Sequence, residues 1–225
     1  MIGVWMAAGA GAGAAAVVPA GAPHPAPGAD WRASIRAFAQ EHFRNPAWGY
    51  SHSVRDYELA RQLAAKDGVR LDDDVLFAAA FLHDMAAFKP WEDEKADHAD
   101  VAADLMADTL AGTGFPPAKI EALRAAIRTH MFDREPRGPE SLYLHDADAL
   151  DWLGAIGVAR IIALADPNGA APDGPAVVKM LEDNLAHVPA RVLSPAGRRA
   201  MPARREELRR YLAELRAESD GLRTL

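Results

Sequence analysis

From residue 30 onward, apolar positions recur at helical rather than strand spacing. Asp30 is placed to cap a helix through "WRASIRAFAQEHF", and Asn45-Pro46 ends it. A second helix is predicted from about Ser51 to Lys66, closed by Asp67-Gly68, and a third from about Asp72 or Asp73 to Asp84. Beyond a loop with Lys89-Pro90-Trp91, a helix over Asp97 to Leu110 is closed by Gly112 to Pro117, and "AKIEALRAAIRTHM" gives the next. After the polar turn "DREPRGPES", the stretch "SLYLHDADALDWLGAIGVARIIALA" reads as one long apolar helix, ended by "DPNGAAPDGP". "PAVVKMLEDNLAHV" and the charge-laced "ARREELRRYLAELRAE" supply two more, so the C-terminal helices fall within 174–218. No strand-like alternation persists and no repeat is present. The expected fold is all-α, a compact multi-helix bundle of roughly seven or eight helices over residues 30–225.

Residues 1–29 depart from this pattern, being rich in Ala, Gly, Val and Pro and without one Lys, Arg, Asp or Glu. They are expected to lie outside the core. Two readings stand. Ala20-Gly21-Ala22 fits a small-x-small signal-peptide cleavage site, which would export the protein. The missing basic n-region and the interrupting glycines fit instead a disordered leader, or a start codon placed too early, on a cytoplasmic protein. The glycines also argue against a membrane span.

The formal net charge of -7 excludes a generally basic nucleic-acid binder. The absence of cysteine excludes disulfides, zinc-thiolate sites and thiol catalysis. The eight histidines are more informative. His83 continues an apolar stripe through Leu76 and Ala80, His130 one through Ile120, Leu123 and Ile127, and His98 begins one through Val101, Ala102 and Leu105. His52 starts a stripe that continues through Asp56, Leu59 and Leu63, and Asp148 lies one turn before Trp152. A single such histidine is ordinarily a satisfied core residue. Four at stripe ends, one of them beside the buried carboxylate of Asp84, point to a divalent cation. Nitrogen and oxygen donors without sulfur suit Mn, Mg, Fe, Ni, Co or Zn.

His52, the adjacent His83-Asp84 pair and the distant Asp148 together resemble the HD-domain metal-dependent phosphohydrolases, in particular a small bacterial branch. The blocks "YSHSVRDYELARQLA", "LFAAAFLHDM", "DHADVAADLM", "AIRTHM" and "LHDADALDWLGAIGVAR" carry the likeness in order, over about residues 31 to 165, with the metal-site blocks within 50–160. The resemblance implies one divalent metal held by His52, His83, Asp84 and Asp148, with Asp148 preferred to Asp146. It implies hydrolysis of a phosphate ester or anhydride in a small phosphorylated substrate, most naturally a nucleotide. A bound divalent ion lowers the pKa of water from about 15.7 toward 7 and polarises a phosphoryl oxygen. Asp84 would orient the attacking water, and His98 or His130 would protonate the leaving oxygen. Arg55, Lys89, Arg128 and Arg160 are the cations nearest these blocks and the candidates for phosphate binding. The pair is followed by "MAAFKPW", without the acidic residue that some nucleotidase branches carry, so a deoxynucleotide specificity does not transfer. Two other readings stay open: di-iron oxygenase chemistry on the same fold, and a non-catalytic helical module stabilised by its metal. Oligomeric state is left open.

Overall fold

Capping side chains and left-handed glycines set the limits of most helices in this chain. The computed structural model describes residues 16–28, 30–165 and 174–223. Among these residues there are nine α-helices and no strand: α1 (Trp31–His42), α2 (Tyr50–Lys66), α3 (Asp73–Leu82), α4 (His98–Thr109), α5 (Ile120–Arg128), α6 (Pro139–Asp151), α7 (Gly154–Ile162), α8 (Gly174–His187) and α9 (Pro195–Glu218). Asp30, Asp72, Asp97 and Ser194 each cap the following helix by accepting a backbone N–H. Gly68, at φ +69°, turns the chain after α2.

Three boundaries differ from the sequence reading. The long apolar helix is two, because the chain is extended at Leu153 and Gly154 takes φ +68° before α7 resumes. A left-handed residue cannot continue a right-handed helix. α3 stops at Leu82, so Asp84 lies in a non-helical turn. α5 stops at Arg128, where Thr129 Oγ1 donates to the Ala125 carbonyl, and His130 follows outside the helix.

α3 is the hub. Every residue from Val75 to Leu82 is buried, and α1, α2, α5 and α6 all pack on it. Its Ala78, Ala79 and Ala80 let those neighbours approach closely, while Phe77 and Phe81 fill the space towards Trp31 and Tyr57. α6 lies along α2, and α4 along α5. Within residues 16–28, Ala16, Val18 and Ala22 are partly buried against the outside of the core, and the Ala16 amide donates to Asp104. The rest of the leader, residues 1–15, lies outside the described residues. No described helix is long and apolar enough to cross a membrane.

α2 is aimed by a tight approach at its start. A Cβ at Gly49 would stand 2.4 Å from the Asn45 carbonyl oxygen and 2.5 Å from that of Phe43. Gly49→Ala should therefore displace the first turn of α2 and lower stability by about 1–3 kcal/mol. Chemical denaturation checks this, with an unchanged midpoint as the contrary result.

Candidate metal centre

Five elements bring their ends or inner faces to one buried point beside α3. α2 contributes His52 and, one turn on, Asp56. The turn after α3 contributes His83 and Asp84, α4 opens with His98, the chain leaving α5 gives His130, and α6 gives Asp148. His52 Nε2 lies 3.0 Å from Asp56 Oδ2, 3.3 Å from Asp148 Oδ1 and 3.7 Å from Asp84 Oδ2. His83 Nε2 lies 3.2 Å from Asp84 Oδ2, and His98 Nε2 lies 3.4 Å from Asp84 Oδ1. The His130 ring packs edge-on against His83 with centroids 4.8 Å apart. Each of the sets His52, Asp56, His83 and His83, Asp84, His130 could hold a metal ion.

The outer nitrogens fix the direction of these rings. His52 Nδ1 bonds Asp151 at 2.9 Å, His83 Nδ1 bonds the Ala80 carbonyl at 3.0 Å, and His130 Nδ1 bonds the Ile127 carbonyl at 2.5 Å. Each of those oxygens accepts, so each Nδ1 carries a hydrogen, and in the neutral ring each Nε2 presents a lone pair inward. There the lone pairs meet carboxylate oxygens, which are acceptors too. Among the described residues neither Asp56 oxygen nor His83 Nε2 has a hydrogen-bond partner, and all are buried. An ionised carboxylate left so costs several kcal/mol, on the order of the penalty for any unpaired buried ion. A cation, whether protons or a metal, is what such a set of acceptors fits.

The protonation behaviour expresses the same imbalance. Burial, then repulsion from Asp151 and Asp148, pushes the Asp56 carboxyl well above the usual range. Burial opposes charge on His52 and on His83, but carboxylate neighbours outweigh it and raise both: Asp148 and Asp151 for His52, Asp84 for His83. Asp84 is held well below the usual carboxylate range, since His83 and His98 overcome its burial. His130 is pushed down to about 3 by burial and then by His83.

Beneath the cluster, Asp151 collects three donor side chains, two of them guanidinium groups. It accepts from His52 Nδ1, from Arg55 at 2.8 Å and from Arg160 at 2.9 Å. Burial opposes its charge, but these partners hold its carboxyl low. Arg160 also donates to the Ala47 carbonyl and lies 3.6 Å over the Trp152 ring, sealed from solvent. A phosphate role for Arg160 is therefore corrected: its guanidinium is a buried structural cation. Arg128 bonds Asp100 and Asp104 on α4, Arg55 keeps partial exposure beside Asp151, and Lys89 is open to solvent 3.5 Å from Glu92.

The structure thus brings together His52, His83, Asp84, His98, His130 and Asp148, and leaves Arg128 and Lys89 outside their immediate contacts. Asp146 is elsewhere occupied, accepting the backbone amides of Leu193 and Ser194 at 2.8 and 2.7 Å. Asp56 and Asp151 were missed. Their signal was positional, Asp56 at i+4 from His52 and Asp151 at i+3 from Asp148.

Residues 49–153 match the family model described as the HD domain. No curated protein matches the chain. Among solved structures, Bacillus subtilis YpgQ in complex with ADP aligns at TM-score 0.63 and 20% identity over 83% of this chain and 97% of its own. A Lactobacillus plantarum protein aligns at 0.60 and 21%, over 84% and 96%. An HD-superfamily hydrolase from Bacillus thuringiensis aligns at 0.54 and 22%, over 76% and 86%. At these identities the likeness is one of fold. The family match itself places an HD domain in residues 49–153, and the ordered histidines and aspartates lie within that stretch.

Proposed function

We propose that this protein is a metal-dependent phosphohydrolase that cleaves a phosphate ester or anhydride in a nucleotide-like substrate. The observation that carries the reading is the buried ring of inward lone pairs on His52, His83, Asp84 and Asp148, whose donor types suit a divalent ion. Such an ion supplies Lewis acidity toward a phosphoryl oxygen and a lowered pKa for water.

The remaining roles follow from exposure and hydrogen bonding. His52 and His83 are sealed, whereas Asp84 is 14% and His98 32% exposed at the side chain, so substrate approaches from their side. Asp84 offers Oδ2 to the centre and keeps Oδ1 toward His98. His98 is the proton donor to the leaving oxygen, because Asp84 raises its pKa against the effect of burial. His130 serves differently from the acid role expected of it. Its hydrogen is on Nδ1, so Nε2 accepts a hydrogen bond and orients the attacking water. Among the candidate cations, Lys89 has the tip most open to meet phosphate, whereas Arg55 and Arg128 are partly exposed and engaged by Asp151 and by Asp100 and Asp104. That Bacillus subtilis YpgQ, of the same fold, binds ADP supports a nucleotide as the substrate class.

One observation favours a second reading. With Asp56 counted, seven His and Asp side chains crowd the centre, as a redox-active pair of iron ions would need. A panel of nucleotides and phosphoesters, assayed for phosphate, pyrophosphate and oxygen uptake with Mn2+, Mg2+, Ni2+, Zn2+ or Fe2+, separates the two. Metal-dependent phosphate release supports hydrolysis, and oxygen uptake without it supports oxygenation.

His83→Ala and Asp84→Ala should each remove bound metal and activity together, as read by metal analysis and turnover. His98→Gln should lower kcat about 100-fold or more with metal retained. Full activity in that variant would remove His98 from the mechanism. Metal affinity should also rise with pH, because metal must displace protons from His52 and His83, whose folded pKa values lie above the ordinary histidine value. The gain is up to about tenfold per pH unit for each proton displaced. Calorimetry in buffers of different ionisation enthalpy counts those protons, and a count of zero at pH 6 would contradict the assignment.

A further inference from the structure

Asp56 is fully buried one turn after His52 on α2, and neither of its oxygens accepts a hydrogen bond. Its Oδ2 stands 3.0 Å from His52 Nε2 and 4.0 Å from His83 Nε2. In the neutral rings both nitrogens present lone pairs, since Nδ1 of each donates elsewhere. The neighbouring guanidinium groups do not neutralise Asp56: Arg55 and Arg160 both bond Asp151 instead. A carboxylate kept for structure would show donors around it, and this one faces only other acceptors.

We propose that Asp56 is a fifth protein ligand of the divalent ion, forming with His52 and His83 a buried inner face opposite Asp84 and His98. The inference rests on the metal-centre reading above. It makes the donor set three carboxylates and two imidazoles, richer in oxygen than the superfamily resemblance alone implies. Hard ions such as Mn2+ and Mg2+ gain most from that change, and Zn2+ gains least. The three negative charges also exceed the charge of the ion by one. In the metal-free chain the same buried carboxylates must be met by protons instead, at a desolvation cost, so one side chain both tightens the site and weakens the empty fold.

The test uses the full chain, stripped of metal, beside an Asp56→Asn variant that keeps the shape and removes the charge. Titration calorimetry with Mn2+ and Zn2+ and thermal unfolding with and without metal are the measurements. The expected result is Mn2+ affinity reduced about tenfold or more, with Zn2+ reduced less. The metal-free variant should also unfold at a higher temperature than the metal-free wild type, with a smaller rise on adding Mn2+. Wild-type Mn2+ affinity and an equal metal-induced rise in the variant would overturn the proposal and leave the metal centre standing. No binding of either ion by the wild type would overturn both. If Asp56→Asn does not fold, anomalous scattering from Mn2+-loaded wild-type crystals decides. An ion about 2.0–2.6 Å from an Asp56 oxygen supports the proposal, and an ion outside that range overturns it.

Discussion

Lone pairs facing lone pairs in a sealed space are the constraint on which the rest of this structure depends. The Nε2 atoms of His52 and His83 and the oxygens of Asp56, Asp84 and Asp148 converge at 3.0–3.3 Å, and neutral rings with ionised carboxylates would leave no hydrogen between them. Such a set repels itself unless protons or a metal ion enter it. The rings are kept from escaping by their outer nitrogens, which bond Asp151 and the carbonyls of Ala80 and Ile127. Those bonds fix each tautomer before any ion arrives.

Charge compensation beneath the site explains the join between α6 and α7. Asp151 ends α6, and Arg160 reaches back from α7 to it, stacking on Trp152 and bonding the Ala47 carbonyl ahead of α2. A single straight helix would carry residue 160 more than two turns beyond residue 151, about 13 Å along the axis. The reversal at Leu153-Gly154 lets that guanidinium return. Burial lowers the pKa of Arg160, and the carboxylates around it offset the effect. Removing either partner of this pair would strand the other, which generally costs about 3–5 kcal/mol.

The two parts of the site differed in how far they could be read from sequence. His52, His83, Asp84 and Asp148 stood out because they interrupt apolar stripes and recur in an ordered set of blocks, and the structure gathers them at one point. The all-α class and most helix limits followed from caps and glycines that act locally, such as Asp30 and Gly68. Asp56, although placed on the stripe of His52, and Asp151 were not assigned to the site, because an aspartate at i+4 or i+3 on a helix ordinarily marks a solvated face. Only the packing of α2 against α6 buries them. Arg160 was taken for a phosphate candidate for the same reason, its actual partners being brought near by a turn that depends on the φ of one glycine. Helix α7 was missed because apolar content continues unbroken across Trp152 and Leu153, while only Gly154 carries the signal to turn.

The ending of α3 shows why an adjacent His-Asp pair marks this kind of centre. In an α-helix successive side chains diverge by about 100°, so two neighbours cannot both face one ion. The helix ends at Leu82, and Asp84 takes φ −94° and ψ 9°, which brings its carboxylate round to 3.2 Å from His83 Nε2. His98 at the start of α4 and His130 past the end of α5 follow the same rule, reaching the centre from helix ends. α2 and α6 contribute instead from their buried sides, where a residue and its fourth successor share a face, as His52 and Asp56 do. The inner side of the centre is therefore built of whole helices and the outer side of their ends. Helix ends open with fewer broken bonds than helix interiors, so the side formed by Asp84, His98 and the loop joining them opens more readily than the sealed face.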